Sequence, residues 1–231
     1  HISEDFAAKQ LRIVELYGKM GVRTTCSCTP YLGENVPKFG DHVAWAESSA
    51  LSMVNSMIGA RTNREGGPGA LAAAILGKTA RYGYHLEENR RPTVIIDAKI
   101  GDSLFEHSLL GQAVGSRIGG GIPYFRGISP DMDQAKTMAG AMAASGAVAM
   151  FHVEGVTPEA GYQDVSGLDI ITIGDDEIKE AREKLNTADE VQLIALGCPH
   201  LSEREMREIA GLLKGKEKKG GRRGRGKRGA E

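Results

Sequence analysis

No stretch of the chain approaches the run of about 18 consecutive apolar residues that reads as a membrane-spanning helix. Nor does any basic segment lead into an apolar run and a small-residue cleavage site, the pattern of a secretory signal. Cysteine is scarce. Three thiols cannot close into a set of disulfides, and Cys26 and Cys28 stand too close together to staple anything. That count fits a reducing compartment and a metal or redox use of thiolates, so the cytoplasm is the expected location. Several common site patterns are also missing. No Gly-Lys-Ser/Thr closes a phosphate loop, and no G-x-G-x-x-G stands between a strand and a helix. Nothing argues for a Ser/His/Asp triad. The H-x-E at His152–Glu154 has no C-x-x-C partner, which excludes zinc deamination.

What is present is ordinary in bulk and uneven in detail. Apolar residues make up 41% and charged residues 26% of the 231 positions, enough for a real core in one large domain or two small ones. The net charge of −1 conceals an asymmetry. Residues 214–231 hold nine Lys/Arg and two Glu, a local +7, which leaves −8 on residues 1–213. This Gly/Lys/Arg tail has almost nothing apolar to offset its ordering entropy and is expected to be disordered. The first residue is His rather than Met, which reads as a start inside a longer reading frame, and the chain is expected to be a fragment.

Periodicity predicts an α/β fold. Ser3 caps a run with apolar positions at Phe6, Leu11, Val14 and Tyr17, so an amphipathic helix is expected over 3–20. Residues 43–58 and 69–76 read as buried helices. Further helical runs at 104–117, 131–144, 175–186 and 202–213 are interleaved with β-rich runs at 93–97, 147–153, 169–173 and 191–196. That alternation implies layered helices around a largely parallel sheet. The loops at 59–69 and 115–128 set glycine beside arginine, a composition suited to lining a ligand crevice.

Four sets of residues could carry chemistry, and each has a plainer reading. Cys26-Ser27-Cys28-Thr29-Pro30 and Gly197-Cys198-Pro199-His200 can present thiolates to an iron–sulfur group, or be small residues in a reducing cell. Glu47, in Trp45-Ala46-Glu47-Ser48-Ser49, either faces a cavity or is a satisfied carboxylate at a helix start. Arg61 and Arg64, before Gly66-Gly67-Pro68, make an anion site or a loop tied by an ion pair. His152 and Glu154 end a strand beside a Gly/Pro turn and suit an active-site wall, or His152 is a packed structural residue.

Taken in order, CSCTPYLGENVPKFGDHVAWAESSA, GARTNREGGPGALAAAILGKT, YGYHLEENRRPTV, ASGAVAMFHVEGVTPEA and ALGCPHLS resemble the aconitase X family, in its archaeal two-subunit branch. The resemblance runs from about residue 5 to about residue 213. It implies an aconitase-superfamily-like fold and a hydro-lyase that dehydrates (R)-5-phosphomevalonate to trans-anhydromevalonate 5-phosphate in isoprenoid synthesis. Family relatives in bacteria dehydrate cis-3-hydroxy-L-proline, the alternative activity.

The resemblance also assigns roles. A 4Fe–4S cluster is expected on three cysteines, two of which match Cys28 and Cys198. The third has no counterpart here, and Cys26 is a possible stand-in. Glu47 and Ser48 match substrate-binding positions, and Arg61 and Arg64 are candidate anchors for the substrate's anionic groups. A small swivelling subunit is the expected partner in a heterodimer and supplies the base, so no catalytic base is assigned in this chain. Residues 1–213 then form a partial catalytic domain, with its N- and C-terminal parts missing, that is inactive alone. A second alternative is an inactive fragment whose basic tail binds nucleic acid. A tail with no selected role is the plainer expectation.

Overall fold

The computed structural model describes residues 2–191 and 193–216. The chain divides into two units, residues 1–200 and 201–231. The first is built on a four-stranded, all-parallel sheet in the order β3-β2-β1-β4. Its strands are β1 (Val94–Ala98), β2 (Pro123–Arg126), β3 (His152–Val153) and β4 (Ile170–Ile173). The chain steps outward from β1 to β3 and then returns to the far side of β1, so strand order reverses there. Ligand crevices in such sheets form outside the carboxyl edge near the reversal.

The helices are α1 (Glu4–Lys19), α2 (Ser48–Met53), α3 (Gly67–Leu76), α4 (Leu104–Ile118), α5 (Met132–Gly146) and α6 (Asp175–Leu185). Helices α4 and α5 follow β1 and β2, and each has a side-chain cap. Ser103 accepts from the Glu106 N–H at 3.2 Å, and Asp131 and Gln134 form a reciprocal capping box. The two helices approach so closely that a Cβ on Gly111 would meet the Met138 carbonyl. Their buried faces join Ile96, Phe125, Phe151 and Val153 of the sheet region in one core. The second unit contains α7 (Glu203–Leu213), opened by a Ser202/Glu205 capping box.

The expected α/β class holds, with local corrections. Residues 43–47 are extended rather than helical. They run beside 61–65, with the Val43 N–H donating to the Arg61 carbonyl at 3.0 Å and the Glu65 N–H to Trp45 at 3.1 Å. The helix starts only at Ser48 and continues from Val54 to Ile58 as a π-helical turn. Helix α3 forms where expected but buries nothing, because alanine-rich apolarity without a partner face does not make a core. Helix α1 is amphipathic and likewise buries no residue.

Strand β2 arises inside the expected 115–128 loop. Pro123, Tyr124 and Phe125 are buried, in a run too short to show a period of two. Of the expected strand over 147–153, only His152 and Val153 pair. No strand forms among the described residues of 191–196, where Val191, Leu193, Ile194 and Leu196 are exposed. Of the expected disordered tail, residues 217–231 lie outside the described residues. No helix among the described residues is long and apolar enough to cross a membrane.

Candidate active site

Helix α5 begins six residues after β2 ends, so its first turns, which carry Asp133 and Lys136, stand at the carboxyl edge of the sheet. Three segments distant in sequence gather there, two of them packed on α5. The first holds Cys28. The Ser27 Oγ accepts the Thr29 N–H at 3.1 Å and closes a bend that leads into the short turn Pro30–Leu32. Tyr31 from that turn is buried and stacks on Trp45, with ring centroids 6.5 Å apart. The stacking brings Cys28 toward the segment that carries Glu47.

The second segment is Gly197-Cys198-Pro199-His200. The His200 N–H donates to the Cys28 Sγ at 3.0 Å, and the Cys28 N–H donates to the His200 Nδ1 at 3.4 Å. His200 is two residues from Cys198, and at about 3.8 Å per residue the chain keeps their Cα atoms within about 8 Å. The backbone of Cys198 therefore lies in the segment that touches Cys28. Pro199 lies flush on α5: a Cβ on Gly140 would come within 2.9 Å of its Cδ. The Lys136 Nζ donates to the His200 carbonyl at 3.1 Å. Lys136 is itself buried and paired with Asp133 at 3.6 Å.

Glu47 and Ser48 form the third segment. Glu47 is the N-cap of α2, and its Oε2 accepts from the Ser49 Oγ at 2.7 Å and from the Ala50 N–H at 2.5 Å. The satisfied-carboxylate reading thus describes one oxygen of a half-buried side chain, while Ser48 beside it is exposed. Ser49 meets the same Gly140 that seats Pro199, so this helix start adjoins the Cys198 segment. A cleft of about 510 Å³ opens beside the Cys28 loop, lined by Arg23, Thr25, Ser27, Thr29, Glu34 and Asn35 among others.

The remaining candidates lie elsewhere. Arg61 pairs with Glu87 and donates to the His85 carbonyl at 3.4 Å, beside a His42–His85 pair whose Nδ1 atoms are 2.8 Å apart. Arg64 caps the C-terminal end of α5 through the Ala147 carbonyl, about 10 Å along the helix from Gly140 at 1.5 Å per residue. The two guanidiniums do not converge on one point. Cys26 is exposed in the left-handed region (φ 51°), with its Sγ 3.8 Å from the Thr24 carbonyl.

His152 is wholly buried and is no active-site wall. Its Nε2 lies 2.8 Å from the Arg90 carbonyl. Burial pushes its pKa below the usual 6.5, partly offset by that carbonyl. It belongs to a hub that the sequence reading missed. Arg90 makes a two-pronged pair with Glu159, with Nε 3.0 and 2.9 Å from the carboxylate oxygens. It also donates to the carbonyls of Asn55 (2.9 Å) and Tyr84 (3.1 Å). Lys136 was missed as well. Its signal is a lone lysine among Ala, Met and Gly, one helical turn from both Asp133 and Gly140.

Two soft thiols on segments that touch through His200 suit an iron–sulfur group, and all three cysteines are free. Among the described residues no set of three or more His, Cys, Asp or Glu surrounds one metal position. Cys28 and Cys198 therefore fit such a group as part of a ligand set.

Sequence profiles described as the aconitase X first domain and aconitase X second domain match residues 1–88 and 92–183. The chain is 55% identical over 216 residues to the phosphomevalonate dehydratase large subunit of Methanothermobacter thermautotrophicus, covering 92% of this chain and 54% of that protein. It is 35% identical to the cis-3-hydroxy-L-proline dehydratase of Hypocrea jecorina, covering 90% and 37%. The crystal structure of Thermococcus kodakaraensis aconitase X in its holo-form superposes with a TM-score of 0.86 at 48% identity, covering 92% of this chain and 56% of that one. The chain spans about half the length of the phosphomevalonate dehydratase subunits it matches.

Proposed function

The chain belongs to the aconitase X family, and on that premise we propose that it is part of the large subunit of a hydro-lyase that converts (R)-5-phosphomevalonate to trans-anhydromevalonate 5-phosphate. The observation that carries this reading is the meeting of Cys28, the Cys198 loop and the Glu47 cap on α5. The choice of substrate rests on identities of 48–55% to four phosphomevalonate dehydratase large subunits, with a fifth at 33%, against 32–35% to hydroxyproline dehydratases. Residues 1–213 would form part of the catalytic domain of a cytoplasmic enzyme completed by a small subunit.

In the mechanism, Cys28 and Cys198 would hold two positions of a 4Fe–4S cluster. The bound group supplies a Lewis-acidic iron for departure of the hydroxyl. Glu47, with one oxygen engaged in capping α2, has its other oxygen available to a substrate hydroxyl, and Ser48 offers a donor beside it. The cap fixes the carboxylate before substrate arrives, which is the preorganisation that orientation effects require. Arg64 sits about 10 Å along α5 from this point, a separation that suits the far, anionic end of an elongated substrate. Arg61, already paired with Glu87 and apart from Arg64, would serve a different anionic group of the substrate. No group in this chain is placed as the base, which the small subunit would contribute.

The test is the full-length protein reconstituted with its small subunit and assayed on both substrates. Cys28→Ser should abolish the cluster absorption and turnover together. Glu47→Gln should keep the cluster and lower kcat by roughly 10²-fold or more. Turnover of hydroxyproline in preference to phosphomevalonate overturns the substrate assignment, and full activity in Cys28→Ser overturns the site. The 231-residue chain alone should show no turnover.

A further inference from the structure

We infer that His200 is a positioning residue that clasps Cys28, so that Cys28 and Cys198 stand as one preassembled dithiol before any cluster is bound. The role in loading a cluster rests on the dehydratase reading; the dithiol itself does not. The geometry is a two-point exchange between residues 172 positions apart. One hydrogen bond runs from the His200 N–H to the Cys28 sulfur (3.0 Å), and the other from the Cys28 N–H to the His200 Nδ1 (3.4 Å). A single contact would set a distance, but two running in opposite directions also set the orientation of one loop on the other. In this exchange Nδ1 is the acceptor.

The clasp is anchored from behind. Residues 197–201 and 23–28 have no helix or paired strand of their own to hold them. The His200 carbonyl is held instead by Lys136, whose side chain is 1% exposed. Burying an ammonium is costly unless it is paired and hydrogen-bonded. Here the pairing with Asp133 and the donation to His200 meet that condition while fixing the peptide beside the thiols. Pro199 docked on Gly140 supplies the third anchor. Helix α5 thus positions residue 200, and residue 200 positions Cys28.

The probe is phenylarsine oxide, whose arsenic takes two thiols: the As=O bond is replaced by two As–S bonds, and both thiol protons leave with the oxygen as one water. The 231-residue chain carrying Cys26→Ser, which leaves Cys28 and Cys198 as its thiols, is titrated with the arsenical and read by intact mass and by competition with a small dithiol. The expected result is a one-to-one adduct that protects both sulfurs from alkylation. His200→Phe, which keeps the backbone N–H but removes the acceptor, should weaken capture by about tenfold, the worth of roughly one hydrogen bond. His200→Asn, whose Oδ1 can take the place of Nδ1, should restore it. Tm is recorded in parallel, and His200→Ala serves if the Phe variant fails to fold.

A loosening of structure alone would not separate Asn from Phe and Ala in this way. Equal capture by all variants, or no bridged adduct in the parent, overturns the clasp and leaves the dehydratase reading standing. Normal capture together with a reconstituted full-length enzyme that holds no iron or sulfide overturns the dehydratase reading and leaves the clasp standing.

Discussion

The Arg90–Glu159 hub and the Cys28–His200 clasp both tie together segments far apart in sequence, but one is sealed and the other open. Arg90 and Glu159 are 0% and 1% exposed, and their bonds reach Asn55, Tyr84 and, through the Arg90 carbonyl, His152. The hub joins the region matched by the first family profile to that matched by the second, because Asn55 also donates to the Ala149 carbonyl at 3.1 Å. The clasp instead links an exposed histidine to a half-buried cysteine. Inside, an ion pair is tolerable only when every partner is present. At the rim, thiols and a carboxylate stay within reach of solvent and ligand, and they depend on α5 for their placement. The fold thus keeps the charges that hold its halves together apart from the groups proposed for chemistry.

That contrast is most exposed to failure at the hub. Glu159→Ala leaves a guanidinium buried without its carboxylate and should cost about 3–5 kcal/mol of stability in urea unfolding. A loss below about 1 kcal/mol, the range of exposed ion pairs, would show that solvent reaches Arg90 and that the hub is not sealed. Gly111→Ala extends the test into the helix pair. The new methyl would press on the Met138 backbone, which cannot swing aside, so about 1–3 kcal/mol should be lost, with a lower Tm by calorimetry.

The hub and the His42–His85 pair also carry a pH signature. Burial lowers the pKa of His152, and burial followed by His42 lowers that of His85. In the unfolded chain both would titrate near 6.5. Between that value and their depressed folded values the unfolded state binds more protons, so this contribution is complete above about pH 6.5 and is lost as pH falls toward the folded pKa values. Thermal unfolding followed from pH 8 to pH 5 should show Tm decline below 6.5, and His152→Gln should flatten part of that decline. An unchanged slope in the variant would place the titration elsewhere.

How much of this was legible depended on whether the signal was local. Strands β1 and β4 announce themselves as VIIDA and IITI within a residue of their observed ends, and α5 as a long run behind an Asp/Gln box. The thiol motifs and Glu47 stand out because cysteine and buried acid are rare in such surroundings, and the resemblance joined them. Strand β2 is four residues long and masked by glycine. The helical reading of Trp45 and Ala46 failed because Glu47 caps the helix from outside. Arg90–Glu159 is a pairing across 69 positions, and no local pattern marks it. The apolar stripe of α1 reads as an amphipathic helix and residues 191–196 as a strand, yet Leu11 is 71% and Leu193 84% exposed. Hydrophobicity shows that a face wants cover without showing what covers it.

The smallest expected effect is the sharpest statement of the contrast. Cys198 is exposed, its loop turns at Gly197 (φ 112°), and Pro199 on Gly140 with Lys136 on the His200 carbonyl fixes the segment without help from the sulfur. Replacing Sγ with a hydroxyl therefore removes no packing and leaves no buried group unpaired. Cys198→Ser should hold stability within about 0.5 kcal/mol of the parent, the range of surface changes away from special features. The same substitution should eliminate bridged arsenical capture, because one thiol cannot replace two. Urea unfolding and intact mass on one preparation read both quantities. A stability loss approaching that of Glu159→Ala would mean that the sulfur is packed as a core atom, and the division between a sealed interior and an open, reactive rim would fall at this residue.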